Sequence, residues 1–216
     1  MPLIRSVFQD ELDSVSESLV NLTTTVSTAM SQATDAILNA DLKVAEEVIA
    51  NDQKIDEFQH DIDSRIIDII ARQQPVATDL RALVSALRMS ADIERMGDFA
   101  HHVAKIARMR HPQGAVPAEL VATIKSMGSA AVRITEKIGV VIATRDVEMA
   151  LEIEGDDDEM DALHRDLIAA LVDKPWNHGI EVAINLTLLG RYYERYSDHA
   201  VSVSRRVYYL VKGEYA

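Results

Sequence analysis

Apolar and small side chains recur along the start of the chain in steps of three and four: Val15, Leu19, Leu22, Val26, Ala29, Ala33 and Ile37. That spacing lines one face of a helix and predicts one from about residue 5 to 39. Asn39-Ala40-Asp41 interrupts the pattern, which restarts with Val44, Val48, Ile49, Ile55, Phe58, Ile62, Ile66, Ile69 and Ile70. It stops before Gln74-Pro75, because the residue before a proline disfavours the helical conformation. A third helix is expected to carry Leu80, Leu83, Val84, Leu87 and Ala91 on its inner face and to end near His111-Pro112, with Thr78-Asp79 as its cap. The prolines at 112 and 117 bracket the clearest linker. Beyond it, helices are predicted over about 118–144, 147–173 and 177–212, the last two split by Lys174-Pro175 and the sixth capped by Asn177. Helices of about 30 residues run about 45 Å, too long to pack end to end, so antiparallel up-down bundles are expected.

The second half repeats the first. A shift of 105 residues superposes Asp41 on Asp146, Ala45 on Ala150, Asp52 on Asp157 and Asp56 on Asp161. A shift of 100 then pairs Pro75 with Pro175, Glu94 with Glu194, Arg95 with Arg195, Asp98 with Asp198, Ala100 with Ala200 and Val103 with Val203. The same order of helix, acid pair, helix stop and acid pair predicts an all-α fold of two tandem three-helix bundles, residues 1–112 and 117–216.

Composition narrows the function. A formal net charge of −13 over 216 residues argues against a sequence-independent nucleic-acid binder or a protein that coats anionic lipid. Cations, or a partner with a basic patch, are the better expectation. The chain has no cysteine, which removes disulfides and thiolate metal sites. The amino terminus does not read as a signal peptide, and no window reaches the ~18 apolar residues of a membrane span. A cytoplasmic location is the simplest reading.

Each half places two acid pairs at a spacing of four: Asp52/Asp56 with Glu94/Asp98, and Asp157/Asp161 with Glu194/Asp198. This spacing sets both carboxylates on one helix face, a turn apart. With 35 acids, about six such pairs arise by chance, so one pair means little. Recurrence at matched places lifts these above chance, as does the way Glu94 and Asp98 prolong the line of Leu80, Leu83, Leu87 and Ala91. Carboxylates on a packing face are costly unless paired or metal-bound. Four of them converging would be neutralised by two divalent cations. His101 and His164, three residues after Asp98 and Asp161, are additional candidate ligands, echoing the Glu-x-x-His steps of di-metal bundles. Arg95 and Arg195 offer the competing reading, salt bridges. Gly97 and Ser197 are matched small residues that admit a neighbouring helix, and the tyrosines of the last helix read as packing with a polar rim. No P-loop, dinucleotide turn or nucleophile elbow is present.

Residues 51–81, with ADIERMGDFA at 91–100 and its counterpart RYYERYSDHA at 191–200, resemble the PhoU family of phosphate-signalling proteins along the whole chain. The resemblance implies two similar three-helix bundles and multinuclear metal clusters on the acidic motifs: Asp52, Asp56, Glu94 and Asp98, then Asp157, Asp161, Glu194 and Asp198. The metal would be iron, manganese, magnesium or zinc. The resemblance also implies a non-enzymatic regulator at the inner face of the membrane, acting on the ATPase subunit of a phosphate ABC transporter and on a sensor histidine kinase, and restraining uptake and starvation signalling when phosphate is plentiful. A homodimer is a candidate assembly. Gln59 stands where many members carry glutamate, Tyr192 replaces the Asp92 of the first half, and the Gln-Pro-x-x-x-Asp-Leu-Arg pattern around Pro75 is lost after Pro175. The competing readings are a ferritin-like metallo-oxidase, disfavoured because neither half pairs Glu-x-x-His motifs on separate helices, and a metal-free helical scaffold.

Overall fold

Each break in the hydrophobic pattern becomes a helix end with its own local cause. The computed structural model describes residues 2–172 and 175–214. Helix α1 spans Pro2–Asn39, α2 Leu42–Gln73, α3 Ala77–Arg110, α4 Val121–Thr144, α5 Val147–Val172 and α6 Ile180–Lys212. A 3-10 turn, Ala118–Leu120, leads into α4. Asp41 caps α2 by accepting from the Val44 amide at 3.1 Å, and its repeat partner Asp146 accepts from Met149 at 3.0 Å. Gln74 and Arg145 close α2 and α4 in the left-handed conformation, their amides returning to Ile70 and Val141.

Two expectations about helix ends need correction. The residues Thr78 and Asp79 lie inside α3, whose cap position is Val76 and carries no side-chain bond. Asp79 still complements the dipole of the first turn. The sixth helix begins at Ile180, so Asn177 is not its cap. The Trp176 indole donates to the Gly179 carbonyl at 2.7 Å, closing a loop that holds residues 176–179 out of the helix. The proposed end of the fifth helix at 173, and Lys174, lie outside the described residues.

Helix α1 packs on α2 and α3, and α4 packs on α5 and α6, giving two three-helix units. The units meet through α1 against α4 and α3 against α6, and a single buried cluster runs through both. The meeting is reciprocal. Shifted by 105, Thr23 and Thr34 of α1 match Gly128 and Gly139 of α4. A side chain at Gly128 would strike Thr34, and one at Gly139 would press on Thr23. The second seam repeats this pattern: Asp92 bonds His199, while Phe99 stacks on Tyr192, the two partners shifted by 100. Each seam is therefore the intramolecular form of an isologous contact, in which i meets j and j meets i.

The inner face of α3 differs from the sequence expectation. Leu83 is buried, but Leu80, Val84 and Ala91 are exposed, and the buried line runs through Ala86, Met89, Ile93, Met96, Ala100, Val103 and Ala107. Because α3 touches α1, α2 and α6, its buried face is broad, and the predicted line lies along its edge.

Candidate metal centre

The acid pairs of each unit lie on neighbouring helices. In the first unit, Asp52 and Asp56 on α2 face Glu94 and Asp98 on α3. In the second, Asp157 and Asp161 on α5 face Glu194 and Asp198 on α6. Small residues permit the approach of the helices. A Cβ at Gly97 would lie 3.1 Å from Ile55 Cγ2, and one at Gly190 would lie 2.9 Å from both His164 and Leu167.

Crowded like charges leave a mark on the acids. Glu94 is pushed up to about 7, first by burial and then by the charges of Asp98 and Asp56. Asp56 is raised by burial, Asp52 and Asp98. Burial raises Glu194 most, Asp198 adds to it, and Arg191 and His164 oppose. Burial also raises Asp157, against the effect of the nearby Ser197 hydroxyl and with that of Asp161 and Asp198. Ser197 Oγ and Asp157 Oδ1 are nonetheless both buried without a hydrogen bond of good geometry.

Cationic and imidazole groups hold the remaining edges. His101 Nδ1 contacts Asp52 across the α2–α3 interface, leaving its Nε2 buried and without a partner. Arg95 reaches Asp98, Arg191 reaches Glu194, and Arg195 stands 3.7 Å from Asp198. The acids thus lie within electrostatic reach of one another, and arginines at the rim neutralise part of their charge. Among the described residues, no three carboxylate or imidazole groups are already gathered around one metal-sized point. The donor chemistry fits a hard or borderline cation, and Asp157 Oδ1 and His101 Nε2 are donors that protein groups leave unused.

Asp92 and Gln59 make contacts that the sequence did not predict. Asp92 accepts from His199 Nδ1 at 3.0 Å and from Arg206 Nε at 2.9 Å across the α3–α6 seam. Burial would raise this carboxyl, but the two bonds outweigh it and hold it below its ordinary value. The replacement of Asp92 by Tyr192 in the second half was the available signal. Gln59 donates to Asp63 at 2.6 Å, and Ser90 of α3 donates to the same carboxylate at 2.6 Å, so Gln59 is committed to a structural bond.

Comparison with known proteins follows the same duplication. Residues 19–107 and 124–207 each match the PhoU domain. The phosphate-specific transport system accessory protein PhoU homolog 2 of Mycobacterium tuberculosis strain H37Rv is 44% identical over 212 residues, covering 98% of this chain and 100% of the relative. PhoU homolog 1 of Mycobacterium leprae is 43% identical, covering 98% and 96%. The crystal structure of PhoU from Pseudomonas aeruginosa matches with a TM-score of 0.83 at 28% identity, covering 96% of this chain and all of that one. A Streptococcus pneumoniae phosphate transport system regulatory protein, PhoU, matches with a TM-score of 0.87 over 97% of this chain and 99% of that one, and at 23% identity it speaks to the fold alone. With both copies of its helical unit matching the domain and nearly its whole length aligned with these relatives, the chain belongs to the PhoU family.

Proposed function

We propose that this chain is a regulatory accessory protein of phosphate transport, one that restrains uptake and phosphate-starvation signalling when phosphate is abundant. The observation that carries this reading is the alignment of nearly the whole chain with accessory proteins of the phosphate-specific transport system. Its role is regulatory and not enzymatic, as for the family. Its partners are the ATPase subunit of the transporter and a sensor histidine kinase, engaged at the inner face of the membrane; among the described residues no helix is long and apolar enough to cross it. A regulator of this kind must bind two partner states unequally, since equal affinity shifts no equilibrium. The test is starvation-gene expression in a deletion strain grown at high phosphate. Constitutive expression is expected; repression equal to the parent, with no second copy of the gene, would refute the reading.

The two carboxylate clusters support a metal-dependent form of this adaptor. Asp52, Asp56, Glu94 and Asp98, with His101, would hold cations in the first unit, and Asp157, Asp161, Glu194 and Asp198, with His164, in the second. A bound cation supplies charge neutralisation that ties α2 to α3 and α5 to α6. Elemental analysis of protein purified without chelators tests this. The double variant Asp52→Asn, Asp56→Asn should lose metal while remaining folded, and unchanged stoichiometry would remove these residues from the ligand set.

A further inference from the structure

The start of α3 and the end of α6 enclose a crevice of about 320 Å³ that the acidic clusters do not reach. Three arginines, Arg81, Arg88 and Arg206, line it with Ser85, and among the described residues no acid does. That is a marked local reversal in a chain with 35 acidic and 22 basic residues. Its apolar walls are Leu80 and Val84, both exposed, and the Tyr209 ring, over which the Arg81 guanidinium sits 5.7 Å from the centroid. Arg206 is tied to Asp92 by its Nε. Arg81 has its Nε buried without a partner, and neither Arg81 nor Arg88 forms an ion pair among the described residues.

The duplication supplies an internal control. Shifted by 100, the three arginine positions correspond to Glu181, Leu188 and Ile106 in the other seam end, and Tyr209 corresponds to Met109. Glu181 there is paired with Arg110 at 2.8 Å. The same helix crossing is therefore built without these cations, so the packing of the fold does not demand three arginines here. They are a property of one end only, and they include the Arg81 of the pattern that the second half has lost.

We propose that this crevice binds a small phosphate monoester, its phosphoryl group held by Arg81 and Arg88 and its organic part lying on Leu80, Val84 and Tyr209. Charge sets the class. With Arg206 answered by Asp92, two guanidinium charges remain, and a phosphate monoester carries about −1.5 to −2 at neutral pH whereas a carboxylate brings one charge. Guanidinium forks also match phosphoryl oxygens in shape. The walls set the rest, because inorganic phosphate would leave the apolar surface uncovered. The inference stands apart from the metal reading and from the transport reading, since neither uses these side chains.

Isothermal titration of the full-length protein at low salt tests it, with AMP as probe and inorganic phosphate, adenosine and succinate as comparisons. AMP is expected to bind at one site, at least tenfold more tightly than inorganic phosphate or succinate, with no heat from adenosine. Arg88→Gln, an exposed position on α3, should weaken AMP about tenfold, one charge-assisted contact. Arg81→Lys should weaken it as well, because the charge stays and the fork is lost. Lys105→Gln removes an exposed cation elsewhere on α3 and should change nothing. The proposal falls if AMP gives no binding at about 5 mM, which is very weak affinity for a specific site, if succinate or phosphate equals AMP, or if Lys105→Gln acts as strongly as Arg88→Gln.

Discussion

Tyr193 and Tyr196 are fully buried, and each hydroxyl meets a threonine: Thr34 at 2.8 Å and Thr135 at 2.7 Å. Burial drives both phenols above their ordinary range, so they remain neutral donors. Thr34 also bonds the Met30 carbonyl at 2.8 Å, so it keeps a partner when the tyrosine hydroxyl is removed. Tyr193→Phe should therefore cost only about 1 kcal/mol in urea unfolding. The seam carboxylate is more sensitive, because Asp92 is held by both the His199 imidazole and the Arg206 guanidinium. Asp92→Asn should cost about 2 kcal/mol at pH 7. A carboxyl held below its unfolded value of 3.8 stabilises the fold above that value and loses this effect as pH falls through the folded one. The deficit of the variant should accordingly shrink below pH ~4. Glu94 has the opposite sign. Raised from 4.5 to about 7, it favours the fold least once ionised, so the chelator-treated protein should lose stability as pH climbs between those values. Glu94→Gln should then be more stable than the parent at pH 8, by up to about 1 kcal/mol after solvent screening, and no different near pH 4.

At the scale of the helix, what the sequence reveals depends on how many neighbours the helix has. The line from Val15 to Ile37 was legible because α1 buries it against partners through aliphatic side chains. A second buried line through Thr23, Ser27, Met30 and Thr34 was not, because threonine and serine read as polar. The hydroxyls of Thr23 and Thr34 donate to carbonyls of their own helix, Val20 at 2.7 Å and Met30 at 2.8 Å, which lets these two threonines face α4 without an unmet donor. The acid pairs were legible through their recurrence and through the place of Glu94 and Asp98 in line with apolar residues, while Arg81, Arg88 and Arg206 were not, since they come from two helices distant in sequence. Glycines at this scale give a paired prediction. A Cβ at Gly128 would stand 2.4 Å from Thr34 Cγ2, so Gly128→Ala should destabilise by about 1–3 kcal/mol. Gly155, inside α5, has nothing within 4 Å, so Gly155→Ala should raise stability by up to about 1 kcal/mol. Thermal melts of the two variants check both signs; equal shifts would mean that helix propensity, and not contact with α1, governs Gly128.

Across the whole molecule, the seams make the two units interdependent. The core is continuous through α1 and α4 and through α3 and α6, and among the described residues Asp92 is held by side chains of the other unit, His199 and Arg206. Separating the units would uncover Thr34, Phe99 and Tyr193, and would leave the Asp92 carboxylate with its partners gone. That cost couples the unfolding of one unit to that of the other. The chain carries its own reporters for this: its single Trp and all 6 Tyr lie in the second half, from Trp176 onward. Intrinsic fluorescence and near-ultraviolet tyrosine signals therefore follow the second unit, while far-ultraviolet dichroism follows helices of both. The two readouts are expected to give coincident denaturant transitions in the parent protein. Asp92→Asn and Gly128→Ala, each placed on a seam, should lower both midpoints together. A second-unit signal that melts separately from the helical signal would show the seams to be weak contacts between two autonomous bundles, and would place the shared core outside the cooperative unit.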